Sequence, residues 1–252
     1  MISPALATPA FLSAPQSLNS NNSGLEAGPA RTHPPFNLIG ALNLPPDVPS
    51  GVTIPLKRIS PLHNSEPRYF IAPAGTLQIV SIEKPAPYLG NLSEDIKKWR
   101  ALLGAPNFNR AATRDILYRR QLSEIPWANA GRCFHAKLRL RTFPWGRALL
   151  FITTYVQGKT GGPVNNDMLV LVVQGLTNDG RYAVNGRFEI HHPKLPDSTW
   201  DQRTKEKAVF DLDDQTTQAE QWLDHQPDQT FQPTLHQYDL FLQSLQITPP
   251  KS

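Results

Sequence analysis

The sequence predicts an α+β fold, in which helices cover an antiparallel meander sheet. Two observations support this prediction: four strand-like segments separated by short turns occupy the centre of the chain, and segments of helical periodicity precede and follow them. The two middle strand segments are apolar on both faces, so both faces must be covered, as they are in an α/β/α sandwich. The 25 prolines among 252 residues argue against a helical bundle or a coiled coil.

Residues 1–50 are predicted to be a disordered leader, and residues 51–248 a single domain. Nine of the 25 prolines lie in the leader, together with a run of Asn and Ser, and no apolar period crosses it. Residues 5–7 and 12–14 have the small side chains of a signal-peptide cleavage region, but no positive segment or long apolar core precedes them. The local pattern therefore favours an ordinary tail over the remainder of an export signal.

Short β-prone segments and then two helices are predicted to open the domain. The β-prone segments, separated by turns that contain proline, are residues 52–59, 68–72 and 76–82. A helix begins at Ser93, which can cap it, and apolar residues recur at helical spacing as far as Leu103. Gly104 ends this helix, and residues 108–122 are predicted to form a second one.

The centre of the chain has the clearest strand pattern. Residues 133–141 alternate between apolar and polar side chains, which indicates a half-buried strand. Residues 148–156 and 168–173 are apolar on both faces, as in a strand covered on both sides. After the turn at residues 177–180, alternation returns over residues 182–190. Four successive strands with short turns predict an antiparallel meander.

Two further helices are predicted to cover this sheet. One begins within residues 197–200 and runs toward Gln226, with the acidic residues 211–214 as a place where it can break. The other begins at Pro233 and Thr234 and carries one apolar stripe along its length.

The polar side of the first central strand is the strongest candidate for a binding site. Alternation places four basic side chains on one face, namely His135, Lys137, Arg139 and Arg141. With a net charge of +4, such a basic face suits an anionic ligand, an anionic polymer or an envelope surface. The alternatives are a solvated face and pairing with acidic residues of a covering helix, such as Asp211 or Asp213. Nucleic acid is disfavoured, because no recognised motif or aromatic platform accompanies the charge.

Three polar residues in predicted loops form a second candidate. Loops on a rigid sheet often carry function, although turn chemistry explains the same residue types. These residues are Asn165, Asn166 and Asp179.

The sequence predicts no catalytic motif, cofactor or metal site. Residues 158–160 lack both the preceding glycine and the following helix of a phosphate-binding loop. His191 and His192 are adjacent at a strand end and point to opposite sides, so they suit one metal ion poorly. Cys133 is interpreted as a structural cysteine. No stretch reaches the roughly 18 apolar residues of a membrane-spanning helix.

Several motifs resemble those of an uncharacterised family of exported bacterial proteins. The matching motifs are residues 125–130, 134–136, 151–157, 163–166, 174–182 and 192–196. With the similar stretches at residues 68–103 and 231–247, the resemblance covers about two thirds of the chain. Because members of that family commonly carry a signal peptide or lipoprotein signal, the resemblance implies export to the periplasm or cell envelope, with the cytoplasm as the alternative. It implies no activity. The layered plan is also loosely similar to the α/β/α sandwich of photosystem extrinsic proteins, which concerns fold alone.

The preferred interpretation is a noncatalytic envelope or periplasmic accessory protein that binds a partner or ligand. One alternative is an enzyme with an unfamiliar site, in which His135 or Cys133 acts with Asn165 or Asn166. The other is a structural or assembly protein whose leader, residues 1–50, docks on a larger complex. The sequence favours no particular oligomeric state.

Overall fold

The structure is a computed structural model, and it shows an α+β fold in which helices pack against an antiparallel sheet. It describes eight segments of the chain, namely residues 25–27, 31–33, 51–58, 75–82, 92–125, 131–156, 164–197 and 215–245. The strand predicted at residues 68–72 and the acidic residues 211–214 lie outside these segments.

The strands and helices follow one another in a simple order. The strands are β1 (Leu25–Ala27), β2 (Arg31–His33), β3 (Gly51–Arg58), β4 (Gly75–Ser81), β5 (Gly131–Arg132), β6 (Ala136–Phe143), β7 (Gly146–Val156), β8 (Leu169–Thr177) and β9 (Tyr182–Glu189). The helices are α1 (Leu92–Gly104), α2 (Arg110–Tyr118), α3 (Thr216–His225) and α4 (Leu235–Ser244), with a 3₁₀ turn at Asp228–Thr230 before α4.

The centre of the sheet is the predicted meander. Strands β6, β7, β8 and β9 pair successively and antiparallel, and β4 and then β3 extend the sheet beyond β9. At one edge β1 and β2 both pair with β3, and at the other β5 and β6 both pair with β7. Because β4 and β5 lie toward opposite edges, the chain between them, which contains α1 and α2, crosses the sheet.

Helices cover both faces of the sheet, so the fold has three layers. Consecutive residues of β7 point to opposite sides: Leu150 joins a core formed with α3 and α4, and Phe151 joins a core formed with α1 and α2. Likewise, Val172 of β8 lies on the α1–α2 face and Val173 on the α3–α4 face. This arrangement explains why both strands are apolar on both sides.

Local capping explains where two of the helices begin. The side chain of Asn109 accepts a hydrogen bond from the Ala112 N–H at the start of α2 (3.0 Å). Thr234 and Gln237 form a reciprocal capping box at the start of α4, which confirms the predicted start of the terminal helix. Helix α3 begins at Thr216, and the segment 198–214, in which an earlier start was predicted, lies outside the described residues.

Two short strands lie within the stretch that was predicted as a leader. Strand β1 pairs with residues 56–58 of β3, and β2 pairs with residues 51–53 of the same strand. None of the described helices combines the length and apolar character that crossing a bilayer requires.

A β-bulge in β6 overturns one prediction about the basic face. Ala136 pairs with Ile152, and Arg139 pairs with Leu150, so β6 advances three residues where β7 advances two. The extra residue turns Arg139 toward the α3–α4 face, whereas His135 contacts Phe151 on the α1–α2 face. The prediction that the four basic residues share one face is therefore wrong.

Candidate functional site

The three basic side chains on the α3–α4 face are engaged in ion pairs. Lys137 Nζ lies 3.0 Å from Asp228 Oδ1, and Arg139 Nη2 lies 3.0 Å from Asp239 Oδ1. Arg141, whose side chain is 49% exposed, lies 3.6 Å from the other oxygen of Asp239. Acidic residues of the covering layer thus neutralise much of this charge, as in the alternative considered from the sequence. The two aspartates named there lie outside the described residues.

His135, the fourth basic residue, is buried and uncharged. Its ring makes edge contacts with Tyr118 and Phe151, at centroid distances of 5.0 and 5.1 Å. Neither ring nitrogen has a hydrogen-bond partner among the residues that the structure describes. Burial, helped by the charges of Arg132 and Arg114, lowers the pKa of His135 to about 3. The residue therefore contributes no positive charge to a surface at neutral pH.

Two carboxylates of α3 bind the bulged segment of β6. Glu220 accepts hydrogen bonds from the His135 N–H (2.6 Å) and the Tyr118 hydroxyl (2.7 Å), and Asp224 accepts one from the Lys137 N–H (2.6 Å). Arg114 of α2 forms ion pairs with both carboxylates. Since these charges satisfy one another, the cluster ties α2, α3 and the edge strand together rather than offering a free binding group.

The loop candidate Asn166 also has a structural role. Its Oδ1 accepts from the His192 N–H (2.8 Å), and its Nδ2 donates to the carbonyls of His192 (3.2 Å) and Leu195 (3.1 Å). Asn165 Oδ1 accepts from the Met168 N–H (3.1 Å). These two amides therefore fix the loop before β8 against residues 192–195.

The third loop candidate, Asp179, closes the turn between β8 and β9. Its Oδ1 accepts hydrogen bonds from the Thr177 hydroxyl (2.5 Å) and the Arg181 N–H (3.1 Å). Turn chemistry therefore explains this residue.

Two of the residues named for the enzymatic alternative, His135 and Asn166, lie on opposite sides of the sheet. Asn166 lies beside Val164 and contacts Leu195, both part of the α3–α4 core, whereas the His135 ring packs on the α1–α2 face. Burial raises the pKa of the Cys133 thiol, which disfavours the thiolate that a nucleophile requires.

A polar cluster that the sequence did not single out lies on the α1–α2 face. At its centre is Glu124, which follows α2 and whose side chain is 4% exposed. Glu124 accepts hydrogen bonds from Arg187 of β9 (2.6 Å) and from the hydroxyl of Tyr155 of β7, and Arg132 of β5 lies 3.8 Å away. The Arg187 guanidinium stacks over the Tyr155 ring at 4.9 Å. Three strands thus direct polar groups to one buried carboxylate.

Electrostatics within this cluster favour its paired state. Burial works against the charge of Arg187, but the attraction of Glu124 outweighs it and raises the pKa of the guanidinium. Burial and the neighbouring Glu124 raise the pKa of Tyr155 far above its usual range, so its hydroxyl stays protonated and donates. The cluster therefore holds two guanidinium groups, one carboxylate and one neutral phenol.

A row of three buried amides adjoins the cluster. Gln78 of β4, Asn185 of β9 and Gln174 of β8 stand opposite one another in the sheet register and point to the α1–α2 face. Gln174 Oε1 accepts from the N–H of Ile125, the neighbour of Glu124, at 3.1 Å. This hydrogen bond places the row beside the cluster and fixes the orientation of the Gln174 amide.

Several polar atoms in this region have no hydrogen-bond partner within the described part of the chain. They are both side-chain polar atoms of Asn185, Nε2 of Gln174, Nε of Arg187 and Nη1 of Arg132. Asn185 and Gln174 are each 2% exposed, so bulk solvent does not satisfy them. A buried amide without partners costs about 1–3 kcal/mol, so a water or another small polar molecule that completes these hydrogen bonds would be held favourably here. We call Gln78, Glu124, Arg132, Tyr155, Gln174, Asn185 and Arg187 the amide–arginine site.

Sequence patterns contain only a weak signal for this site. Gln174 directly follows the apolar run at residues 168–173, and a polar residue beside such a fully buried run is unusual. Asn185 and Arg187 interrupt the apolar character of β9 in the same way. Their convergence depends on the pairing of β8 with β9 and on the position of Glu124, which local patterns do not encode.

Among the residues that the structure describes, no group of three or more His, Cys, Asp and Glu side chains is placed to hold a metal ion.

In comparisons with known proteins, the chain matches no family model, no curated protein and no solved structure. The resemblance to exported bacterial proteins remains a prediction.

Proposed function

We propose that the protein is a noncatalytic binding protein that takes a small polar ligand at the amide–arginine site and works in the periplasm or cell envelope. The observation that carries the proposal is Asn185, a 2% exposed amide whose polar atoms have no partner in the described part of the chain, beside other donors in the same state. By contrast, Asn166, another buried amide of the described structure, is satisfied by protein atoms. A ligand with several polar atoms would satisfy the whole set at once.

The state of the ionisable groups supports binding rather than catalysis. Glu124 already accepts hydrogen bonds from Tyr155 and Arg187, so its carboxylate is not poised to remove a proton from a substrate. The raised pKa of Tyr155 keeps that hydroxyl neutral. Groups held in such pairs can orient a ligand through their remaining hydrogen-bonding positions.

Side-chain amide signals in nuclear magnetic resonance test the binding function directly. Full-length protein labelled with ¹⁵N is titrated with four small probes, acetate, acetamide, glycerol and methylammonium, each up to near-molar concentration. We expect at least one probe to shift the NH₂ signals of Asn185 and Gln174 while those of Asn166 stay in place, because the Asn166 amide is already paired. If none of the four probes moves the Asn185 and Gln174 signals selectively, the proposed binding function is wrong.

The envelope location rests on the motif resemblance alone. Fractionation of the source cells, with an antibody against the domain, distinguishes the compartments. Recovery with periplasmic or envelope markers supports this part of the proposal, and recovery with cytoplasmic markers overturns it.

A further inference from the structure

We propose that the ligand of the amide–arginine site is a small monoanion, most simply a molecule with one carboxylate group. This inference rests on the proposed binding function and specifies its chemistry. It follows from two properties of the site: the kinds of polar atoms left unpaired and the balance of charge.

The unpaired atoms are mostly hydrogen-bond donors. Four of them donate, namely Asn185 Nδ2, Gln174 Nε2, Arg187 Nε and Arg132 Nη1, and one accepts, Asn185 Oδ1. The amide of Gln174 cannot be reversed to change this balance, because its oxygen accepts from the Ile125 N–H. A matching ligand therefore presents acceptors. A carboxylate offers two oxygens with about four acceptor positions and no donor.

The charges of the site point to the same ligand class. Arg132 and Arg187 each carry a positive charge, and Glu124 carries the one negative charge among the site residues. The pair of guanidinium groups thus exceeds the carboxylate by one charge. Because the side chains of Arg132 and Arg187 are only 10% and 21% exposed, a monoanion beside them is favourable.

The positions of the donors suit one small anion. Asn185 and Gln174 are direct cross-strand neighbours, and such pairs have Cβ atoms about 4.5–5.5 Å apart. Arg187 lies two residues from Asn185 on the same face of β9, and Arg132 and Arg187 both approach Glu124. Amide and guanidinium donors therefore lie on the same face of neighbouring strands. Guanidinium donors form shorter and stronger hydrogen bonds to carboxylates than to neutral oxygens.

The basic residues on the opposite face offer a competing place for an anion. Lys137 and Arg139 are paired with Asp228 and Asp239, whereas Arg141 is half exposed. Arg141→Gln is therefore the matched control, since it removes one arginine charge outside the amide–arginine site.

Acetate and acetamide, which have the same shape and differ in charge, test the inference on the wild-type chain. We expect acetate to bind about tenfold more tightly than acetamide, judged from the shifts of the Asn185 and Gln174 NH₂ signals. Equal or weaker binding of acetate overturns the monoanion inference but leaves the binding function standing. If no probe shifts these signals, the binding function itself fails.

Two substitutions that change the charge of the site in opposite directions provide a second test. Glu124→Gln removes the negative charge and should tighten acetate binding severalfold, whereas Arg187→Gln should weaken it about tenfold; in both variants the change for acetate should exceed the change for acetamide. Thermal melting first identifies whether each variant folds, and the comparison of acetate with acetamide on the wild type remains decisive if either does not. Loss of acetate binding in Arg141→Gln, with Arg187→Gln unaffected, would place the anion on the basic face and overturn the inference.

Discussion

The unpaired ring of His135 makes the stability of this protein depend on pH. Burial lowers the native pKa of His135 to about 3, whereas the ordinary value of 6.5 applies in the unfolded chain. Below pH 6.5 the unfolded state takes up a proton that the native state rejects. Native stability is therefore complete above pH 6.5 and falls as pH drops toward 3, by about 1 kcal/mol per unit.

Replacement of His135 by phenylalanine should make this dependence shallower. Phenylalanine can keep the ring contacts with Tyr118 and Phe151, and no ring hydrogen bond is lost. Urea unfolding between pH 4 and pH 7.5 measures the slope; at the upper end we expect the variant to match the wild type within about 1 kcal/mol. An unchanged slope would show that His135 titrates normally in the native state.

His192 provides the contrast for that experiment. Its pKa is also lowered, to about 4, by burial and by Lys194 and Lys137. Its ring, however, accepts from the Lys194 N–H (3.3 Å) and is hydrogen-bonded to Thr230 Oγ1 (3.1 Å). Unlike the His135 variant, His192→Phe should therefore be less stable than the wild type even at neutral pH, because those partners are left without the ring nitrogens.

At the scale of elements, helix α3 closes the free edge of the sheet at β6. An edge strand exposes N–H groups that can pair with other chains. Here Glu220 and Asp224 accept from the outward N–H groups of His135 and Lys137. The bulge and the helix thus depend on each other, since the carboxylates supply the pairing that the ladder lacks.

Glu220→Leu should destabilise the protein strongly. It leaves Tyr118 and the His135 N–H without their acceptor and removes one of the two carboxylates that pair with Arg114; breaking a buried ion pair from one side costs about 3–5 kcal/mol. Glu220→Gln keeps an acceptor oxygen and should lose clearly less. Urea unfolding compares the two with Glu94→Gln, which removes an exposed carboxylate paired with Lys97 and should change nothing measurable. Equal losses in the two Glu220 variants would contradict the hydrogen-bonding role.

At the scale of the whole molecule, the layers were predictable from the sequence because their periodicity is local. In β7 and β8 the continuous apolar run indicates a strand that is buried on both faces. In α4 the single apolar stripe indicates a helix that is buried on one side. The bulge at Lys137 was not predictable, because the alternation of residues 133–141 continues through it unchanged. Since helices cover both faces, a leucine in β6 is buried whichever face it points to. The hydrogen bonds between α3 and the backbone of this segment therefore determine which side chains point to which face.

The amide–arginine site escaped prediction for a related reason. Gln174 and Asn185 are neighbours only in the register of β8 with β9, and Glu124 reaches them from the segment after α2. No spacing along the chain expresses this proximity. A site built from the centres of neighbouring strands appears only once the sheet is assembled.

The central pairing of β7 with β8 supports both cores, so a defect there should affect the whole molecule. Gly146 opens β7, and a Cβ atom at this position would lie 2.0 Å from the backbone oxygen of Leu176 in β8. Gly146→Ala should therefore force the two strands apart and abolish cooperative thermal unfolding or soluble expression. Gly104→Ala is the matched control, because its Cβ would meet no atom within 4 Å and alanine suits the end of α1. A normal melting transition for Gly146→Ala would mean that β7 does not pair with β8 in this register.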